Sequence, residues 1–375
     1  MNKLLTPEKI FDNVINNNMS YNEAIELLIS IIEVSESEAI RVKCIEVLSK
    51  LDLKSKKIFK TLENYLLSDE TSSVRAAAAK ALVSKFPKGS VVPLRYTIRH
   101  DKSAIVLKTL AYSLENADNQ NFKTLKKELT ANFERIAMIY GIFPKELLLL
   151  LDLEFDIDFF NESRSSSVFG VRYGISKSFA VRDTHVRALY IRGLSVLPES
   201  IGSFKYLEHL DLCNNNISKI PESIGSLTSL KALWLSNNNI ENIPGSIGSL
   251  ISLVSLKLNN NKIQKIPTAI KNLTNLKYLD LKNNKIREIP DILESLKFLE
   301  QLDLRYNRIE KFPESIGFLS SLEELWLSNN NLEKISEGLK NLENLKYLDL
   351  GNNNLRNILE SIEDLKKGNI KILYY

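Results

Sequence analysis

The chain of 375 residues carries 50 basic and 46 acidic side chains, a formal net charge of +4, with 44% hydrophobic and 26% charged residues. This composition is typical of folded proteins, and the length is sufficient for two domains. The charges are well mixed, which excludes the basic stripe of a nucleic-acid-binding surface, so we expect no nucleic-acid partner.

The cysteines and the N-terminus indicate a cytoplasmic protein. Cys44 and Cys213 are far apart in sequence, so they form no disulfide framework and suit a reducing compartment. The N-terminal sequence MNKLLTPEKIFDN lacks the long apolar core of a signal peptide. The most apolar run, residues 147–151, is too short to cross a bilayer, so we expect no membrane insertion.

Residues 1–160 are predicted to form an all-α domain of helix pairs. Apolar residues follow a 3.6-residue period, and helix-like segments recur at steps of 34 and 32 residues. Each is followed by a second helix, for which Ser35, Asp69 and Asp101 are the expected N-caps. A pair of this size cannot bury its apolar stripe alone, so we expect the pairs to stack.

The segment VRAAAAKAL, residues 74–82, resembles the second helix of HEAT-like repeats. The resemblance extends over roughly residues 21–116. Arg75 fits a basic position that recurs in that family and Arg41 matches it, whereas the third copy has Leu107 there. The resemblance implies a HEAT-like superhelix, and an ordinary helical bundle is the alternative.

Residues 161–185 are predicted to link the two domains and to cover the end of the second. The polar, serine-rich segment NESRSSS is the expected linker. Two alternating runs, SVFGVRYG and SKSFAVRD, lie on either side of Gly174 and Ile175. They predict a β-hairpin that caps the first strand of the following domain.

A 23-residue unit repeats seven times without a gap from Leu207 to Lys367. Each copy opens as L-x-x-L-x-L-x-x-N-x-I/L, which predicts a solenoid whose short strands stack into one parallel sheet. We expect the sheet to line the concave side, because strands pack at about 4.8 Å while the return segment is bulkier. Residues 186–206 form a shortened unit before these copies. Residues 370–375 form a last strand, whose edge is either covered by another chain or frayed.

An asparagine recurs where the chain leaves each strand, and we predict a structural role for it. A buried amide at this turn can bond backbone groups of its own unit and of the neighbouring unit. The Ile-Pro pairs that follow in most units fit an extended return segment with short helical pieces. The asparagines are Asn215, Asn238, Asn261, Asn284, Asn307, Asn330 and Asn353.

The repeat resembles the leucine-rich repeat superfamily over residues 186–375. Its IPxxIGxL return segment is similar to the intracellular Ras-group-related subclass. The predicted fold class is therefore an α/β leucine-rich repeat horseshoe with a parallel concave sheet, preceded by an all-α HEAT-like superhelix. The resemblance implies protein binding on the concave face, with small Ras-like GTPases and their effectors among the partners.

The outward strand positions define the candidate binding face. Both tryptophans of the chain lie in one column, four units or roughly 19 Å apart. Exposed Trp, Tyr and Arg are the usual hot-spot residues of interfaces. The alternative is that the rings only pack along the sheet. The predicted partner-binding residues are Trp234, Tyr278, Asp280, Lys282, Asp303, Arg305, Tyr306, Trp326 and Tyr347.

We expect no catalytic residues, no metal and no cofactor. The sequence lacks a phosphate-binding glycine loop, a G-x-S-x-G elbow and a Cys/His cluster with zinc spacing. Asp280 and Asp303 lie on adjacent strands, but Lys282 and Arg305 lie diagonally near them, so ion pairing is the simpler interpretation. The leading prediction is a non-catalytic protein-interaction scaffold. The alternatives are a regulator of a small Ras-like GTPase or kinase signalling complex, and a hydrolase or ligase within residues 117–184.

Overall fold

The computed structural model describes residues 5–153, 177–291, 293–356 and 370–374. Residue contacts divide the chain into two compact units, Met1–Ser165 and Ser166–Tyr375. In the described residues, the first unit is helical, and the second contains a ten-stranded sheet with short 3-10 helices. The predicted linker, residues 161–167, lies outside the described residues.

The described part of the first unit contains nine α-helices, and the predicted apolar stripes are buried. Leu28, Leu62 and Leu94 of the first helices of three successive pairs are fully buried. Ala78 and Ala79 are buried where the fifth helix packs against its neighbours, because small side chains permit close approach. The helices are α1 (Pro7–Ile15), α2 (Tyr21–Val34), α3 (Glu38–Lys50), α4 (Lys56–Ser68), α5 (Ser72–Lys85), α6 (Val91–His100), α7 (Ala104–Glu115), α8 (Lys123–Tyr140) and α9 (Pro144–Asp152).

The N-caps of the second helices lie two residues later than the sequence predicts. Thr71 and Ser103 occupy the N-cap positions of α5 and α7. Asp69 and Asp101 instead follow the preceding helices, and each accepts a hydrogen bond from the backbone N–H of the true N-cap residue at 2.8 Å. Ser35 shows the same shift. These side chains close a turn between two helices, a use of Asp and Ser that competes with helix capping.

Two largely buried ion pairs join consecutive helix pairs. Arg41 of α3 donates to Asp69 at 3.3 Å, and Arg75 of α5 donates to both carboxylate oxygens of Asp101 at 2.8 and 3.1 Å. Each arginine also donates to a backbone carbonyl in the turn before its own helix. Leu107 occupies the matching position of α7, so the third copy lacks this link.

The strands of the second unit pair in chain order, and every pair except the first is parallel. The register places equivalent positions side by side, so that Leu210, Leu233 and Leu256 form one buried row. The strands are β1 (Lys177–Arg182), β2 (His185–Ile191), β3 (His209–Asp211), β4 (Ala232–Trp234), β5 (Ser255–Lys257), β6 (Tyr278–Asp280), β7 (Gln301–Asp303), β8 (Glu324–Trp326), β9 (Tyr347–Asp349) and β10 (Lys371–Leu373).

The strand β1 covers the edge of β2 as its antiparallel neighbour. Their turn is formed by Asp183 and Thr184, both with positive φ, at 54° and 61°, as two-residue hairpin turns require. The sequence predicts a hairpin turn at Gly174 and Ile175, and that position lies outside the described residues.

The asparagine column has the predicted structural role. The Asn284 amide donates to the carbonyls of Leu258 and Leu281 at 3.0 Å each, and its Oδ1 accepts from the Ile263 N–H at 3.0 Å. Asn238, like the other members, makes the equivalent bonds to its own unit and to the preceding one. Each amide therefore links two consecutive units through backbone groups that the core would otherwise leave unsatisfied.

The return segments approach each other closely through short 3-10 helices. A Cβ atom on Gly225 would lie 2.6 Å from the carbonyl oxygen of Ser246 in the next unit, closer than real Cβ atoms come. The contact therefore favours glycine at position 225, although other units carry Lys271, Glu294 or Lys340 at the equivalent position. These helices span Glu199–Ser203, Glu222–Ser226, Gly245–Ser249, Thr268–Asn272, Leu293–Ser295, Glu314–Phe318 and Glu337–Asn341.

Candidate protein-binding face

The two tryptophans lie on the same side of the sheet. Trp234 pairs with Lys257, and the register continues through Asp280 and Asp303 to Trp326. Because the side chains of a strand alternate between its two sides, one column points in one direction. We call the solvent-exposed side of β2–β9 the sheet face.

Trp234 is fixed in place by the neighbouring unit. Its indole Nε1–H donates to Ser255 Oγ at 3.2 Å, and the Lys257 ammonium lies 4.7 Å from the ring centroid. Lys257 was absent from the predicted binding residues. The sequence does contain an indication of its role: Lys257 occupies an outward strand position beside a tryptophan, where a cation can lie over the ring.

Four of the predicted residues form a continuous cluster on β7–β9. Arg305 makes a bidentate ion pair with Asp303, the closest contact being 2.6 Å, and its guanidinium lies 5.5 Å from the Trp326 ring centroid. Trp326 in turn contacts Tyr347, with ring centroids 5.9 Å apart. Arg305 thus forms an ion pair, but with Asp303 two residues earlier rather than diagonally with Asp280 as the sequence predicts, and this pair holds the guanidinium against an aromatic ring.

Lys282 does not form the predicted ion pair. Its ammonium lies 5.4 Å from the ring centroid of Tyr306, which is 49% exposed. Only its backbone N–H reaches Asp280, donating to Oδ1 at 3.0 Å. The sequence places Lys282 near two carboxylates, but the choice between a carboxylate and a ring depends on the direction of a long, flexible side chain.

Tyr306 occupies a left-handed backbone position, with a φ of 55°. A side chain other than that of glycine or asparagine is uncommon in this region. The amides of this column bond one another at 2.6 to 3.1 Å, and Tyr306 interrupts their ladder between Asn283 and Asn329. The equivalent residues of the other six full-length units are all asparagines: Asn214, Asn237, Asn260, Asn283, Asn329 and Asn352.

Tyr278 and Asp280 lie two residues apart on β6 and face the same side. The Tyr278 ring is 37% exposed, and a hydrogen bond with Glu300 raises the pKa of its hydroxyl. Burial raises the pKa of the Asp280 carboxyl, and the nearby charge of Asp303 raises it further. Asp211 occupies the same position in an earlier unit. Burial also acts to raise its pKa, but hydrogen bonds from Arg192 and the Cys213 N–H outweigh burial, so that the pKa is lowered.

The opposite pKa shifts of these two aspartates predict opposite effects of substitution. We expect Asp280→Asn to increase the free energy of unfolding at pH 7 and Asp211→Asn to decrease it. The raised pKa of Asp280 means that its stabilising contribution is complete below the ordinary value of about 3.9 and is lost as the pH rises through the raised value. The contribution of Asp211 is present above about 3.9 and is lost as the pH falls through its lowered value.

Urea denaturation of both variants at pH 7 and pH 4 measures these differences. The difference between Asp280→Asn and the wild-type chain should narrow at pH 4, where the Asp280 carboxyl takes up a proton. The difference between Asp211→Asn and the wild-type chain should largely persist, because pH 4 still lies above the lowered pKa of Asp211. If both substitutions change the free energy of unfolding at pH 7 in the same direction, the opposite pKa shifts assigned to Asp280 and Asp211 are wrong.

The described residues contain no group of three or more His, Cys, Asp or Glu placed to hold a metal ion. Within the same ranges, every helix is too short or too polar to span a bilayer.

Comparisons with known proteins identify the repeats. A family model described as a leucine-rich repeat region matches residues 180–268 and 267–370, just over half of the 375 residues. Members of this family are generally protein-interaction scaffolds or receptors and are typically non-enzymatic. A search of curated proteins gave no match.

Several solved structures are similar to this chain. A leucine-rich repeat protein of Leptospira interrogans is 38% identical over 48% of this chain and 46% of its own, with a TM-score of 0.46. An internalin of Listeria monocytogenes is 29% identical over 51% of this chain and 52% of its own, with a TM-score of 0.42. The ectodomain of a membrane receptor kinase of Arabidopsis thaliana, solved in complex with CASPARIAN STRIP INTEGRITY FACTOR 2, is 27% identical over 66% of this chain and 29% of its own, with a TM-score of 0.47.

The chain spans about half or less of the length of these three proteins, between 29% and 52%. The repeated motif, the sheet that it builds and the match of the family model lead to one assignment. The chain belongs to the leucine-rich repeat family.

Proposed function

We propose that the protein is a non-catalytic interaction scaffold that captures a protein partner on its sheet face. The observation that carries this proposal is the common orientation of Trp234 and Trp326, each half-buried beside a cation on one side of the sheet. Aromatic and arginine side chains dominate the binding energy of most protein interfaces.

The contacts among these residues support a preformed surface. Trp234 is held by Ser255 and Lys257, while Trp326 lies between Arg305 and Tyr347. Side chains already fixed before binding lose little conformational entropy when a partner arrives. The same contacts would also stabilise the sheet without any partner, so the experiment has to separate binding from folding.

A double substitution of Trp234 and Trp326 by alanine tests the proposal. We expect the double variant to remain folded, with unchanged far-UV circular dichroism, and to lose capture of the partner from the native lysate. A matched control replaces Phe298 and Phe318, two exposed aromatic residues outside the strands, by alanine. Capture should survive in this control, and capture by the tryptophan variant at wild-type level would contradict the proposal.

The partner class follows from the resemblance of the return segment to the Ras-group-related subclass. We propose a small Ras-like GTPase or a signalling enzyme as the partner, in the cytoplasm, without a nucleic-acid or membrane role. Nucleotide-loading and GTP-hydrolysis assays with candidate GTPases test this regulatory function. A change in either rate that disappears in the tryptophan variant would support it.

We also propose that residues 1–160 form a HEAT-like superhelix and that residues 161–185 connect it to the repeats of residues 186–375. The support is the recurring arginine that joins one helix pair to the acidic turn of the next, as Arg41 does with Asp69 and Arg75 with Asp101. Limited proteolysis tests this division of the chain. The first cut should fall between the two domains and leave the helical domain as a stable fragment.

A further inference from the structure

The aspartates at one position of the sheet face are equivalent in sequence but not in bonding. All four accept a hydrogen bond on Oδ1 from the backbone N–H two residues later, at 2.9 to 3.2 Å. This common bond fixes the carboxylates in the same way on their strands. They are Asp211, Asp280, Asp303 and Asp349.

Three of the four have a donor for the second oxygen. Arg192 donates to Asp211 at 2.9 Å, Arg305 donates to Asp303 at 2.6 Å, and a serine hydroxyl donates to Asp349 at 2.7 Å. Among the residues that the structure describes, Asp280 Oδ2 has no such donor, although the side chain is half-buried. This oxygen therefore remains available to accept a hydrogen bond from a group outside the chain.

Three cations lie near Asp280, and all three are directed elsewhere. The Lys257 ammonium lies over Trp234 at 4.7 Å, and the Arg305 guanidinium is bound to Asp303 and lies over Trp326. The Lys282 ammonium lies over the Tyr306 ring at 5.4 Å, although its own backbone N–H bonds Asp280. Each of the three thus contacts another group rather than Asp280 Oδ2, although the charges of Lys257 and Arg305 still act on the carboxyl.

Tyr306 is the second departure from the repeat, in the adjoining unit. It takes the left-handed position that asparagine fills elsewhere and interrupts the amide ladder. Unfavourable backbone conformations of this kind concentrate at functional positions. Here the strained residue is the one whose ring holds Lys282.

We propose that the partner presents a lysine or arginine whose head group donates to Asp280 Oδ2, and that Tyr306 keeps this site open by holding Lys282. The inference rests on the proposed function, because it assigns the chemistry of the partner at the centre of the same sheet face. The occupant is a protein segment, since the acceptor is a single carboxylate with the exposed ring of Tyr278 two residues away on the same strand. A phosphate-rich nucleic acid offers no donor of this kind.

A random 12-residue peptide library displayed on phage and selected on the full chain supplies the probe. Selected peptides are synthesised, and their dissociation constants are measured by fluorescence anisotropy. We expect the peptides that depend on Trp234 and Trp326 to share a Lys or Arg. Asp280→Asn should weaken them at least tenfold, because asparagine keeps the Oδ1 acceptor but removes the charge that attracts the basic head group.

The control and a double-mutant cycle separate the site from the rest of the face. Asp211→Asn, at the equivalent position, should change peptide affinity less than twofold. Replacing the basic residue of the peptide by norleucine should weaken binding to the wild type, but not further weaken binding to Asp280→Asn. Tyr306→Asn should weaken binding several-fold while raising the urea midpoint, because it releases Lys282 and restores the amide ladder.

The outcomes distinguish failure of this inference from failure of the proposed function. The inference is wrong if peptides that need the tryptophans bind Asp280→Asn as tightly as they bind the wild type. It is also wrong if those peptides share no basic residue. Either result would leave the proposed function in place. If no selected peptide responds to the tryptophan substitutions, both the inference and the proposed function are wrong. Unchanged affinity in Tyr306→Asn would remove the role given to that ring.

Discussion

Alanine in place of Asn284 should lower the free energy of unfolding by about 3–5 kcal/mol. The amide is 7% exposed and bonds three backbone groups, two carbonyls and one N–H, that belong to two consecutive units. Each buried polar group left without a partner costs about 1–3 kcal/mol. Alanine supplies no replacement for any of the three bonds.

Urea denaturation followed by circular dichroism measures this loss, and Asn353 provides the matched control. Asn353 makes the same three bonds but is half-exposed, so water can take over part of its role. The loss for Asn353→Ala should therefore be about 1 kcal/mol. Equal losses at the two positions would show that burial of the amide does not decide its contribution.

Alanine in place of Gly225 should destabilise the protein by about 3 kcal/mol, near the upper end of overpacking effects. The added Cβ would lie 2.6 Å from the backbone oxygen of Ser246 and 2.8 Å from its Cβ. A backbone atom cannot rotate away as the end of a long side chain can. The two return segments must therefore separate, and this movement disturbs the stacking of the adjoining units.

Gly245→Ala is the matched control for this prediction. Gly245 begins the next 3-10 helix, and a Cβ there meets no atom within 4 Å. Alanine should be neutral or stabilising by about 0.4–1 kcal/mol, because it restricts the unfolded chain. If the two variants have the same denaturation midpoint, close approach is not the reason for the glycine in the return segment.

Periodicity in the sequence was sufficient to predict the register of the sheet. Equivalent positions such as Trp234 and Trp326 fall in one column because every unit has the same length. The helix caps were displaced by two residues because Asp69 can serve either a helix or the turn before it, and composition does not decide between them. The requirement for Gly225 depends on a neighbouring backbone that no local pattern reveals.

The candidate site was only partly predictable. The residues of the sheet face follow from the register, but the pairing of Lys257 with Trp234 and of Lys282 with Tyr306 depends on side-chain directions. One signal was present in the sequence. Tyr306 is the only residue of the seven-member turn column formed by Asn214 and its equivalents that is not asparagine, and this departure is visible from the repeat alone.

The asparagine bonds and the glycine contacts reach no farther than the adjoining units. Asn261 bonds groups of its own unit and of the one unit before it, and Gly248 meets the return segment of the next unit. Duplicating residues 253–275 would consequently add one strand spacing, about 4.8 Å, between Trp234 and Trp326 without requiring new joints. Duplication of single units can therefore change the spacing between the two tryptophans, and with it the length of ligand that contacts both, while each unit keeps its own structure.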